Sequence, residues 1–287
     1  MNSFAALIIR HDLDEISKTE FHELISYEKD LGGKYVYFTL QHQVSKNAKT
    51  CFPKGMSNEE KQCRRVEYLE LIKKHTVQEL DGIVEFALHS EAKPKNWTND
   101  NVLEKYTHNL KENRRLFETK IPNISGHSTH SDEGALYLNT EGINPVSIEK
   151  DARILNAATV AAGFEWFSCT KDLSYFREGA LLFPPCYAPY KVGQLTVFPI
   201  GWDDYFFHNL AAWGSLNEIT GKNSIKEKMT ECKNKNIPCV VSLHPMRFLR
   251  SNRRYLYSIS IIEWLLSIAK KMKMQNVTFS EYVKLIQ

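Results

Sequence analysis

Short apolar runs alternate with longer amphipathic stretches along this chain, and the alternation predicts strands and helices in turn. Phe4 to Arg10 reads as a first strand. The next stretch sets Phe21, Leu24, Ile25 and Leu31 on one helical face, and Gly32-Gly33 ends it, because glycine enters the left-handed conformation without a Cβ clash. "KYVYFTL" (34–40) is a second strand. Ser57 followed by Glu60 signals a capping box, opening a helix with Val66, Leu69 and Ile72 in one stripe. "GIVEFAL" (82–88) is a third strand, and a helix with Val102, Tyr106, Leu110 and Phe117 inward follows it. "IPNIS" (121–125) reads as a short fourth strand, and a helix near Ile148–Ala162 precedes "FEWFS" (164–168). "ALLFPP" and "LTVFPI" are strands whose prolines mark edges or ends. A helix near Ile225–Lys235 leads into "PCVVSL" (238–243), and a long helix over 260–272 precedes "VTFSEYVKLI".

Such alternation favours an α/β fold with a parallel sheet or barrel. No compositional break divides residues 1–287, so one domain is expected. Thirty-seven basic against thirty-four acidic residues leave a net charge of only +3, and no basic run is interleaved with aromatics. Nucleic acid is therefore not the expected partner. No stretch approaches the roughly 18–20 apolar residues that cross a bilayer. The short apolar start lacks a basic leader, so a cytoplasmic location is expected. The six cysteines form no CxxC pair and read as reduced thiols.

Polar residues with chemical potential collect where the apolar runs stop. His11, Asp12 and Asp14 follow the first strand, His89 follows the third, His127 and His130 follow "PNIS", and His244 follows "CVVSL". In an α/β barrel the C-terminal strand ends share one face, so these side chains should converge. One aspartate and two histidines make a common facial set for a hydrolytic divalent metal. Trp202 and Asp203, in "GWDDYFFHN", are candidates for stacking on a substrate or orienting a catalytic group, and Asp204 shares the second possibility.

"RHDLD", "FALHSE", "GHSTHSD" and "VVSLHP", in this order and spacing, resemble the polysaccharide deacetylase superfamily (NodB homology, carbohydrate esterase family 4), in its branch with H-D-x-D as first motif. The resemblance implies a distorted (β/α) barrel of seven strands. It implies removal of an N- or O-linked acetyl group from a sugar or surface-polysaccharide precursor, with a divalent metal, zinc foremost. Carried over, Asp12 is the general base, Asp14 and His89 are metal ligands, and His244 is the general acid. The usual second histidine four positions after the first is Lys93 here, so the third ligand is assigned to His127, with His130 as its alternative or neighbour. His11, His130, Trp202 and Asp203 are then expected to bind substrate or support the ligands. The R-x-P-Y segment of the family is not recognisable, which leaves open what orients Asp12. Two other readings share the same residues: a catalytically silent carbohydrate-binding or assembly protein, and a metal-dependent amidohydrolase acting on a non-sugar amide.

Overall fold

A computed structural model describes residues 3–13, 16, 18–40, 72, 80–90, 102–119, 121, 123–129, 154–169, 185–204, 218–245, 248–249 and 258–287. Strand β1 (Ala6–Asp12) leads to helix α1 (Lys18–Leu31), β2 (Tyr35–Leu40), β3 (Val84–Ser90), α2 (Val102–Glu118) and β4 (Gly126–Thr129). Helix α3 (residues 154–161) precedes β5 (Trp166–Cys169). There follow β6 (Tyr190–Val192), β7 (Leu195–Pro199), β8 (Trp202–Asp203), α4 (Glu218–Asn234), β9 (Cys239–Leu243), α5 (Ile261–Lys271), β10 (Gln275–Asn276) and α6 (Phe279–Ile286).

The alternation expected from the sequence is present, with displaced boundaries. β1 runs on to Asp12 because Arg10, His11 and Asp12 stay in register with Val36, Tyr37 and Phe38 of β2. The described residues of "IPNIS" are not in a strand. Asn123 sits at φ 65°, a left-handed conformation that breaks extension, and the strand begins at Gly126. Gly32, at φ 66°, ends α1 as expected, its N–H reaching the Glu28 carbonyl at 3.1 Å. Ile72 is buried and helical; the rest of the helix begun at Ser57, and most of "ALLFPP", lie outside the described residues.

The sheet runs β6-β7-β5-β4-β3-β2-β1-β9-β8, with β10 against β1. Every pairing in it is parallel except the β6–β7 hairpin. One short segment joins its two ends. β7 pairs with β5, and three residues later β8 pairs with β9. Between them the Ile200 N–H bonds to Cys169 and the Gly201 N–H to Val240, each at 2.9 Å. The sheet is thus curled into a distorted barrel whose staves are β1 to β5, the bent β7–β8 segment and β9. Parallel pairing brings the C-terminal ends of all of them to one mouth.

Side-chain alternation divides each stave into an outer and an inner face. On the outer face Leu7 and Ile9 of β1 pack in one apolar cluster with Phe21, Leu24 and Ile25 of α1. On the inner face Ala6, Ile8, Val36, Phe38, Ala87, Trp166, Phe198 and Val240 form a second cluster with Phe279, Tyr282, Val283 and Ile286 of α6. Helix α6 therefore plugs the barrel from below. It is capped by Thr278 and Glu281, each side chain accepting the other's backbone N–H. The Trp166 indole donates to Glu85 at 3.0 Å and to Ser280 at 3.1 Å, and Glu85 also accepts the Ser280 N–H, tying plug to wall. Position 126 must be glycine, since a Cβ there would overlap the Trp166 ring.

Candidate active site

Above the apolar inner layer the barrel turns polar. Arg10 and Asp12, two apart on β1, both face inward. The Arg10 guanidinium grips Asp12 through Nη2 at 2.5 Å to Oδ1 and 2.7 Å to Oδ2, with Nε at 3.1 Å from Oδ1. Its Nη1 donates to Ser168 of β5 at 3.2 Å, and the guanidinium carbon lies 4.2 Å from the centroid of Phe38. Arg10 is 1% exposed and Asp12 5%, so each supplies the opposite charge that the other needs at that depth.

Two imidazoles face the same carboxylate. His89 Nε2 is 3.8 Å from Asp12 Oδ2, and His244 Nε2 is 3.7 Å from it. Asp204 holds His244 from behind, one carboxylate oxygen pairing with Nδ1 and the other accepting the His244 backbone N–H at 2.7 Å. Burial pulls the His244 imidazolium down, but Asp204, Asp12 and Asp203 outweigh it and hold the group up at about 10. Asp203 is pushed up, first by burial and then by the Asp204 and Asp12 carboxylates, with His244 opposing. Ligand-capable atoms of Asp203, Asp204 and His244 lie within 4.8 Å of one another. The cluster thus combines a clamped carboxylate, a protonated imidazole opposite it and a carboxyl that resists ionisation.

The structure brings Asp12, His89, Asp203 and His244 together and sends three other candidates elsewhere. His11 faces outward from β1, its Nε2 2.6 Å from Glu28 of α1, and Tyr37 donates to the same carboxylate. His127 also faces outward. Its Nε2 is 2.8 Å from the Thr159 hydroxyl of α3, its Nδ1 is 3.3 Å from the Ser90 hydroxyl, and its ring packs tilted against Phe164 and Phe167, 4.7 Å from each between centroids. Burial drives its pKa down to about 3, so it stays neutral. The neighbour of His89 across the β3–β4 ladder is Ser128, not His127. Trp202, expected to stack on substrate, is buried on the outer face and donates to Ser224 of α4 at 3.1 Å. Asp14 and His130 lie outside the described residues.

The structure therefore does not place His127 beside His89 as a metal ligand. Both ring nitrogens of His127 are engaged with hydroxyls on the far side of the wall from His89. The reason is register: with the strand starting at Gly126, position 127 falls on the outer face.

Sequence reasoning passed over Arg10. Its signal was an arginine inside the apolar run "ALIIRHD", two residues before the aspartate that it pairs with. Asp204, a candidate in the sequence for orienting a catalytic group, is the carboxylate that pairs with His244.

No family model matches the sequence, and no curated protein sequence matches it. Solved structures do. A GH57-type branching enzyme from Pyrococcus horikoshii is similar at a TM-score of 0.51 and 10% identity, over 100% of this chain and 71% of that one. A polysaccharide deacetylase from Bacillus cereus gives 0.46 and 11%, over 96% and 91%. A 4-alpha-glucanotransferase from Thermococcus litoralis gives 0.49 and 15% over 98% of this chain, which spans only 38% of that one. At such identities the likeness is one of fold.

Proposed function

We propose that this protein is a hydrolase that removes an acetyl group, N- or O-linked, from a sugar or glycan precursor. The observation that carries the reading is the opposition of Asp12 and His244 across 3.7 Å, with Arg10 behind one and Asp204 behind the other. Acyl transfer to water needs a base for the water and an acid for the leaving group. Asp12 takes the proton of the attacking water through Oδ2. His244, protonated through neutrality and fixed through Nδ1, presents Nε2 to the departing amine or alkoxide and returns a proton to it. His89, on the other side of Oδ2, borders the space where the acetyl carbonyl would lie. The resemblance in sequence adds the deacetylase chemistry. The fold is shared with carbohydrate-active enzymes, which supports a sugar as substrate class. A divalent metal would polarise the carbonyl, but His127 does not stand beside His89 to hold one, and no step is assigned to the metal.

The experiment is acetate release from a panel of N- and O-acetylated sugars, read for wild type, Asp12→Asn and His244→Ala. Release that both substitutions abolish supports the reading, and no release from any substrate removes it.

A second reading follows from Asp203. A carboxyl that resists ionisation near an arginine-held carboxylate matches the acid and carboxylate of glycoside cleavage. New reducing ends without acetate would favour it.

A further inference from the structure

We infer that Arg10 is the positioning residue of the base Asp12: held from within its own strand, the carboxylate is turned so that Oδ2 is the working oxygen. This inference rests on the proposed hydrolytic reading of the site and deepens it.

The asymmetry of the clamp carries the inference. Oδ1 accepts from both Nε at 3.1 Å and Nη2 at 2.5 Å, and the same Nη2 reaches Oδ2 at the longer distance of 2.7 Å. Oδ2 is also the oxygen that faces His244 at 3.7 Å and His89 at 3.8 Å. A planar fork of donors on one edge of a carboxylate fixes the plane of the group as well as its place. Ammonium, a point charge, would fix neither.

Arg10 is itself immobilised. Nη1 is held by Ser168 from β5, on the opposite wall, and the guanidinium rests on the Phe38 ring of β2. Three staves therefore converge on one side chain, and β1 supplies both the base and its clamp. Residues i and i+2 of a strand point the same way, so no loop is required to bring the pair together.

The test uses Arg10→Met, Arg10→Lys and Ser168→Ala in the full chain. With an acetylated sugar that the wild type deacetylates, Arg10→Met should lower kcat by about 10–100-fold with KM within about twofold, as expected for a misaimed base. Methylguanidine should restore part of that loss, and Ser168→Ala should cost only a few-fold. A second readout needs no turnover. Arg10 grips Asp12, which faces His244, so the ¹⁵N signal of His244 Nε2 should move in Arg10→Met, and adding Arg10→Met to Asp12→Asn should move it far less. An unmoved His244 signal in a folded Arg10→Met protein, or kcat within twofold of wild type, overturns the inference. Wild-type protein that releases no acetate while the His244 signal behaves as stated sinks the hydrolytic reading and leaves the positioning role standing.

Discussion

The inner and outer faces of the same strands carry similar residues and put them to opposite uses. On the outer face three polar side chains are tied to the helices that cover them: His11 to Glu28 of α1, His127 to Thr159 of α3, Trp202 to Ser224 of α4. On the inner face the polar side chains meet one another, with Arg10, Asp12, His89, His244, Asp203 and Asp204 gathered at the mouth. A buried polar group is acceptable wherever it finds a partner. The outer set satisfies this within the wall. The inner set satisfies it with groups that can also exchange protons, so a single residue's shift along a strand separates architecture from chemistry.

The contrast can be broken by substitution. Asp12→Asn should have the largest effect, a loss of about 10²–10⁴-fold in acetate release, as for a general base. Circular dichroism should show a folded chain, and activity within a few-fold of wild type would show that the inner cluster is not the reacting centre.

Asp204→Asn comes next. It removes the first carboxylate that holds His244 up, so the basic limb of the pH–rate profile should move from near 10 toward neutrality. Stability follows the same sign. A histidine raised from its usual 6.5 to about 10 lends stability that is complete below about 6.5 and is lost as pH rises through about 10. Thermal melts of wild type and Asp204→Asn should therefore converge at high pH, and parallel melts across that window would refute the pairing.

His127→Asn should do the reverse of an active-site change. Leaving the Thr159 and Ser90 hydroxyls without the imidazole should cost about 1–3 kcal/mol of stability. Bound metal measured by elemental analysis, and kcat/KM per folded molecule, should stay as they were. The imidazole is held neutral to about 3, so its share of stability is present above 6.5 and lost as pH falls toward 3. The variant's melting temperature should fall less steeply than wild type's over that range. Loss of metal with the fold intact would return His127 to the ligand set.

Trp202→Phe should be the mildest, removing one hydrogen bond worth about 1 kcal/mol and leaving KM for any sugar unchanged. A raised KM would place its ring against substrate after all.

Much of this was legible before the structure. The alternation of apolar runs and amphipathic stretches is physics at short range, and it gave the α/β class and most elements to within a few residues. That Asp12, His89 and His244 lie at strand ends was equally local. Which way a side chain faces depends on where the strand truly starts, and that is decided by pairing with distant chain. His127 seemed to stand just past a strand over 121–125, where direction is unconstrained; with the strand at 126–129 it is locked outward. Arg10 was read as the last residue of a strand when the ladder with Phe38 carries β1 on to Asp12. Once the strand is two residues longer, arginine and aspartate fall on one face.

The plug at the other end of the barrel has a kinetic consequence. Glu85 and Ser280 are 195 positions apart in sequence, and the stacked rings of Phe4 and Tyr282, 4.6 Å between centroids, are 278 apart. Contacts of such long range form slowly, because the entropy of closing the loop is lost before any contact repays it. Until α6 docks, the carboxylate of Glu85 and the indole of Trp166 keep their water, and the layer on which Arg10 rests has no floor. Folding should therefore proceed from the wall inward, with the C-terminal helix arriving last and the site at the mouth becoming rigid only after the opposite end is sealed.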